Sequence, residues 1–303
     1  MNLGSVLSYS AAALSLAVGL VSLSRDPRSF VHRAFAAGFA VLAAEALFTA
    51  LSFHADSVSQ TVFWQRLKIA AGSLAPGVWL VFSITFARAD YGEFVKKWAW
   101  ILAAMFAVPA AVLALSFDSL VGDPFPEASS RMLFPLETGG YILSLFILVG
   151  AVLILMNLEK TFRLSVGHTR WQIKFLVLGI GSIFGARIYT ESQAILVRLI
   201  DGQMEILNVS ILLLAECLVA LSFWRTRLLK FDFYPSHSLL YNSVTVLLVG
   251  IYFIAVGVAA RLVFYLTGAH DPAITALVVL IAVLVLAVFL LSDRARLVRK
   301  RMV

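Results

Sequence analysis

Charge is the first thing this sequence is short of. Asp, Glu, Lys and Arg make up 14% of its 303 residues, where a soluble domain covers its surface with about 25%. Apolar side chains fill the gap at 61%, with a mean hydropathy of +0.94, which excludes an ordinary water-soluble globule. Cysteine is nearly missing too: Cys217 stands alone inside an apolar run, so no internal disulfide framework is possible. No two of the five histidines stand three or four positions apart, the helical spacing a zinc site uses, so no metal site is expected. The first ten residues, "MNLGSVLSYS", contain no Lys or Arg. A cleaved secretory signal needs that positive start, so the N-terminus is expected to be a retained span. There is no internal repeat, no low-complexity tract and no hydrophilic block long enough to fold by itself.

What the chain does have is apolar runs. A helix needs roughly 20 such residues to cross about 30 Å of hydrocarbon. Nine stretches qualify: about 3–23, 34–53, 69–87, 98–116, 139–157, 173–190, 206–224, 243–267 and 273–292. The sixth is the most ragged, because its apolar character continues past Arg187 and Glu191 to Ile200. The expected fold is an all-α polytopic transmembrane bundle of about nine spans. Residues 1–292 form the multi-span domain, and 293–303 a basic start of a cytoplasmic linker.

Orientation follows from Lys and Arg, which accumulate on the cytoplasmic side. The connections after spans one, three, five and seven hold Arg25, Arg28 and Arg33, then Arg88, Lys96 and Lys97, then Lys160, Arg163, Arg170 and Lys174, then Arg225, Arg227 and Lys230. The tail adds Arg294, Arg296, Arg299, Lys300 and Arg301, for eighteen cations on this side. The opposite side holds five: Arg66, Lys68, Arg131, Arg187 and Arg198. The bias places the N-terminus outside and the C-terminus in the cytoplasm. It also explains the net charge of +7 as a topology signal, with no nucleic-acid partner required.

Aromatic placement agrees, since Trp98, Trp100, Trp171 and Trp224 fall at the same boundaries, where indoles favour the headgroup layer. "GHTRWQIKF" at 167–175 is then the inner boundary of span six. Arg170 and Lys174, four apart on one helical face, flank Trp171 and reach toward lipid phosphates.

The motifs that suggest chemistry give way to plainer readings. A phosphoacceptor histidine is followed by an acidic residue, whereas His168 is followed by Thr169 and Arg170. His32, His54 and His237 fail the same test. His270-Asp271-Pro272 passes it, but as a turn on the outer side, away from ATP. "GIGSIFG" at 179–185 lies within a span, with no preceding strand. Gly181 and Gly185 read instead as a G-x-x-x-G step that lets a neighbouring helix approach. No catalytic residue, resident cofactor or metal is expected within these residues.

Intramembrane charges are more informative. Glu45 and Glu216 sit near the middle of spans two and seven, where an ionised group costs on the order of 3 kcal/mol. Arg187 and Glu191, four apart in span six, fall in its outer half, and Arg261 near the outer end of span eight is placed to snorkel. Glu45, Arg187, Glu191 and Glu216 form either a signalling cluster sensitive to ligand or pH, or an ion-pair scaffold. The longest outer connection, 116–137, carries Pro124, Pro126 and Pro135 with four acids against Arg131. It reads as an irregular solvated loop, with a ligand site as the alternative. The tail "SDRARLVRKRMV" suits anionic headgroups, and its abrupt end suggests a fragment whose last span acts as a lever on a downstream domain.

Three stretches, "NLEKTFRLSVGHTRWQIKFLVLGIG" (157–181), "RIYTESQAILV" (187–197) and "FDFYPSHSLLYNSVTVLLVGIYFIAVGV" (231–258), together resemble the N-terminal membrane region of PrsK-type sensor histidine kinases, a bacterial family associated with the exosortase/PEP-CTERM system. The resemblance covers the layout of essentially the whole chain, through membrane-boundary sequences rather than catalytic signatures. It implies a sensor region in the bacterial inner membrane, a homodimer, and cytoplasmic GAF, histidine-acceptor and ATPase domains. The kinase would use ATP and magnesium beyond Val303 and phosphorylate a response regulator. No catalytic residue carries over. The rival reading is a proton-coupled or small-solute transporter using Glu45 and Glu216, against which stand the missing repeat and the presence of only Pro76 and Pro109 inside spans. An intramembrane enzyme would need a nucleophile or metal set that is not apparent.

Overall fold

The computed structural model describes residues 3–86, 91–126, 132–165 and 167–225. The two spans expected at 243–267 and 273–292, and the basic tail, lie outside the described residues. Among the described residues, seven helices are long and apolar enough to cross a membrane: α1 (Leu3–Arg25), α2 (Phe30–His54), α3 (Val58–Thr85), α4 (Tyr91–Ser116), α5 (Thr138–Leu164), α6 (Gly167–Val197) and α7 (Gly202–Arg225). At ~1.5 Å per residue even the shortest exceeds about 30 Å of hydrocarbon. Their apolar residues run around the whole circumference, as suits helices with lipid on one side and neighbours on the other.

Helix ends overrun the apolar windows because local capping, not hydropathy, sets them. Ser57 caps α3 by accepting from the Gln60 amide at 3.3 Å, and Gln60 Oε1 accepts from the Asp56 amide at 3.3 Å. These two bonds, the second reaching one residue before the N-cap, start α3 three turns before Lys68. Asp201 similarly accepts from the Gln203 amide at 2.8 Å and starts α7 early enough to bring Glu205 into its first turn. The ragged sixth span is one continuous helix to Val197, ended by Arg198 in left-handed backbone (φ 56°).

Neighbouring helices close a ring, α1–α2–α3–α5–α6–α7 and back to α1, with α4 outside against α3 and α5. A seam of small residues on α1, including Ser8, Ala11, Ala12, Ser15 and Gly19, is buried, which allows close backbone approach. Gly150 of α5 meets Pro76 of α3 so tightly that a Cβ there would fall 2.3 Å from the Pro76 ring. The α6–α7 approach falls at Gly179, where a Cβ would lie 2.9 Å from the Ala215 carbonyl oxygen. Among the described residues nothing comes within 4 Å of a Cβ at Gly181. Two residues off along a helix is a rotation of about 200°, which turns Gly181 away from α7.

A small sheet covers one end of the ring. β1 (Phe125–Pro126) pairs antiparallel with β2 (Met132–Pro135), and β2 with β3 (Leu199–Asp201). The connection 116–137, expected to be irregular, is instead closed on itself by a Val121–Leu136 bridge and tied to the α6–α7 connection through the β2–β3 pairing. Apolar anchors explain the order: Leu120, Val121 and Phe134 pack on Ile69 and Leu143. Arg66 of α3 adds an ion pair to Asp118 at 3.0 Å. This is the sheet end of the bundle. Toward the opposite end the ring is filled by aromatic rings. Phe35 stands 4.8 Å from Phe39 and 5.5 Å from Phe223, and Trp79 stands 5.8 Å from Phe184. The last two pairs are edge-on, which suits aromatic quadrupoles.

Candidate functional site

The half of the ring nearer the sheet is polar. Glu45 of α2 is ion-paired with Nη2 of Arg187 on α6. Lys68 of α3 contacts Oε1 of Glu205 on α7 at 2.5 Å, and Oε2 of Glu205 accepts from Gln65 Nε2 at 3.0 Å. Gln65 also donates to Ser52 Oγ at 3.0 Å, so one amide joins α2, α3 and α7. Asn208 of α7 donates to Thr190 Oγ1 of α6 at 3.1 Å. Glu191, one turn past Arg187, is hydrogen-bonded by Ser144 of α5. It has no ion-pair partner among the described residues.

These groups surround a partly open cavity of about 70 Å³. Its walls carry Glu45, Lys68, Arg187, Glu191, Glu205 and Asn208, and its floor is apolar, with Leu42, Ile183 and Leu212. Glu205 is 4% exposed and Arg187 8%, so each charge has lost most of its hydration. The two direct ion pairs offset that loss. With three carboxylates against two cations, ionisation of all five groups leaves one negative charge over, assignable to Glu191.

The structure thus unites three of the four charges singled out from the sequence, Glu45, Arg187 and Glu191, and separates the fourth. Glu216 lies eleven positions beyond Glu205 on α7, about 16 Å along the helix. It is fully buried against α1, where it accepts a hydrogen bond from Ser15 and, among the described residues, leaves Oε2 without a partner. Lys68, Gln65 and Glu205 were missed because the apolar windows begin after Lys68 and Glu205, and Asn208 because an uncharged amide inside a span carries no charge signal. The two capping signals, Ser57 to Gln60 and Asp201-Gly202, would have shown that both charges stand on helices. Among the headgroup candidates, Lys174 is exposed, and Arg170 and Trp171 lie in the first turns of α6. Among the described residues no group of three or more His, Cys, Asp or Glu side chains stands close enough to hold a metal.

Seven apolar helices among the described residues, a closed ring and a charged cavity inside it define a multi-pass membrane protein. The chain belongs to the family described as the N-terminal 7TM region of histidine kinase, which matches residues 7–235. That match begins in α1 and runs past the end of α7, so it takes in the whole ring and its cavity. Neither a curated protein nor a solved structure matches the chain. The chain is therefore the membrane sensory region of a histidine kinase, and the transporter alternative finds no support.

Proposed function

We propose that the charged cavity is the input site of this sensory region, and that α7 carries its state across the membrane. The observation that carries the reading is the placement of α7. Near its sheet end Glu205 and Asn208 line the cavity. At its other end the Phe223 carbonyl accepts from Arg25 Nη2 at 3.1 Å, with the guanidinium 5.2 Å from the Phe223 ring. A change in the Lys68–Glu205 or Asn208–Thr190 contacts then acts on one helix that ends about 27 Å away, clamped to α1. A ligand shifts such an equilibrium only by its differential affinity for the two states, and a paired polar network supplies groups that can be re-partnered.

In this reading the sheet end faces outward and the N-terminus lies outside, as the eighteen-to-five excess of cations supports. Two further spans follow α7, for nine in all, and the last leads to cytoplasmic GAF, histidine-acceptor and ATPase domains using ATP and magnesium. The protein acts as a homodimer in the bacterial inner membrane and phosphorylates a response regulator. Within its family it is a PrsK-type kinase of the exosortase/PEP-CTERM system, which the three membrane-boundary stretches at 157–181, 187–197 and 231–258 support. Labelled ATP offers a direct test. Residues 1–303 incorporate no phosphate, whereas the longer reading frame does. Phosphate on the 1–303 chain overturns the assignment.

A further inference from the structure

Arg187 and Glu191 leave complementary capacity unused at the cavity. Arg187 is a nearly buried side chain on the cavity wall, and Glu45 accepts from its Nη2 alone. Its Nε and Nη1 have no acceptor among the described residues, although a guanidinium offers five N–H donors in a fixed fork. Lys68 beside it spends one contact on Glu205. On the opposite sign, Glu191 has Ser144 as a hydrogen-bond donor and no cation in ion-pair reach among the described residues. Spare donors of positive charge and a spare carboxylate therefore face one cavity.

A simple anion would answer Arg187 but leave the Glu191 carboxyl without a cation. A simple cation would answer Glu191 but leave the guanidinium fork unfilled. We propose that the cavity receives a small zwitterion, its carboxylate against Arg187 and Lys68 and its ammonium against Glu191 and Glu45. The fork geometry of arginine suits a carboxylate in particular. Size narrows the class further. At about 70 Å³ the cavity is roughly half the volume that admits benzene, so it takes the charged head of an α-amino acid of the smallest kind. The apolar floor of Leu42, Ile183 and Leu212 meets the carbon between the two charges. The proposal rests on the sensory reading above and names the chemical class of the stimulus.

The test uses the 1–303 chain in lipid nanodiscs, titrated with glycine, L-alanine, acetate and methylammonium and followed by calorimetry and melting temperature. Glycine or L-alanine binds saturably and raises the melting temperature. Acetate and methylammonium, each carrying one of the two charges, bind at least about tenfold more weakly. Glu191→Gln breaks no ion pair, so it melts as the parent does while losing about tenfold in zwitterion affinity. Arg187→Gln abolishes binding, and Arg187→Lys restores part of it. Equal binding of acetate or methylammonium overturns the proposal, as does full zwitterion affinity in Glu191→Gln. Absence of any zwitterion effect in the folded parent overturns it as well. Such a failure, alongside altered signalling in Glu45→Gln, removes the ligand assignment and leaves the sensory reading standing.

Discussion

Glu45 and Arg187 lie 142 positions apart in sequence and are ion-paired across the interior of the helical ring. The pair fastens α2 to α6 at a depth where an unaccompanied charge costs on the order of 3 kcal/mol. Removing one partner leaves the other buried and uncompensated. Glu45→Gln or Arg187→Gln therefore lowers stability by about 3 kcal/mol, and the double replacement recovers much of the loss. Denaturation in mild detergent measures both singles and the double. Additive losses would show that the two groups do not interact.

Glu216 makes a different prediction because, among the described residues, its one hydrogen-bond partner is Ser15. Ser15→Ala removes the last hydrogen bond from a fully buried carboxyl and lowers stability by about 1–3 kcal/mol. Replacing both, as Ser15→Ala with Glu216→Leu, removes the polar groups altogether and restores stability to near the parent value. Thermal melting of the three variants checks the order. A double variant less stable than Ser15→Ala alone would show that Glu216 has further partners.

Two glycines separate tight packing from open space. Gly150→Ala drives a methyl into the Pro76 ring and costs about 1–3 kcal/mol as overpacking. Gly181→Ala meets nothing among the described residues within 4 Å and is neutral or stabilising by up to about 1 kcal/mol, since alanine favours the helix. Expression level and melting temperature distinguish them. The opposite ranking would show that a neighbouring helix packs at Gly181, as the G-x-x-x-G step suggests.

The seven described helices were legible because lipid leaves only one signal for a span, a long apolar run. Their ends were not. The hydropathy windows stopped where charge began, so Lys68 and Glu205 read as loop residues when they stand on α3 and α7. The pairing of Glu45 with Arg187 was foreseeable as a need, since each buried charge requires a counterpart, but the choice between Arg187 and Glu216 as its neighbour depends on helix rotation. Apolar helices carry no amphipathic stripe from which rotation can be read. The sheet was hidden for another reason: the strands are short, and only the cross-connection from Leu133 to Asp201 makes them a sheet.

Arg25 offers a test of how α7 is held at its far end. Arg25→Ala removes the hydrogen bond to the Phe223 carbonyl and the stacking on its ring, together worth about 1–3 kcal/mol. Amide exchange over residues 218–225 rises by about tenfold or more, while the α2–α3 end is unchanged. Unaltered exchange there would show that α7 is not clamped by α1.

The most direct measurement is the autophosphorylation rate of the longer reading frame in nanodiscs, for the parent, Glu45→Gln and Glu191→Gln at matched membrane levels. If the cavity is the input, both substitutions change the rate severalfold while insertion and ATP affinity stay as in the parent. Parent rates in both variants, under conditions where the parent responds to its stimulus, would contradict the account and reduce the charged network to scaffold.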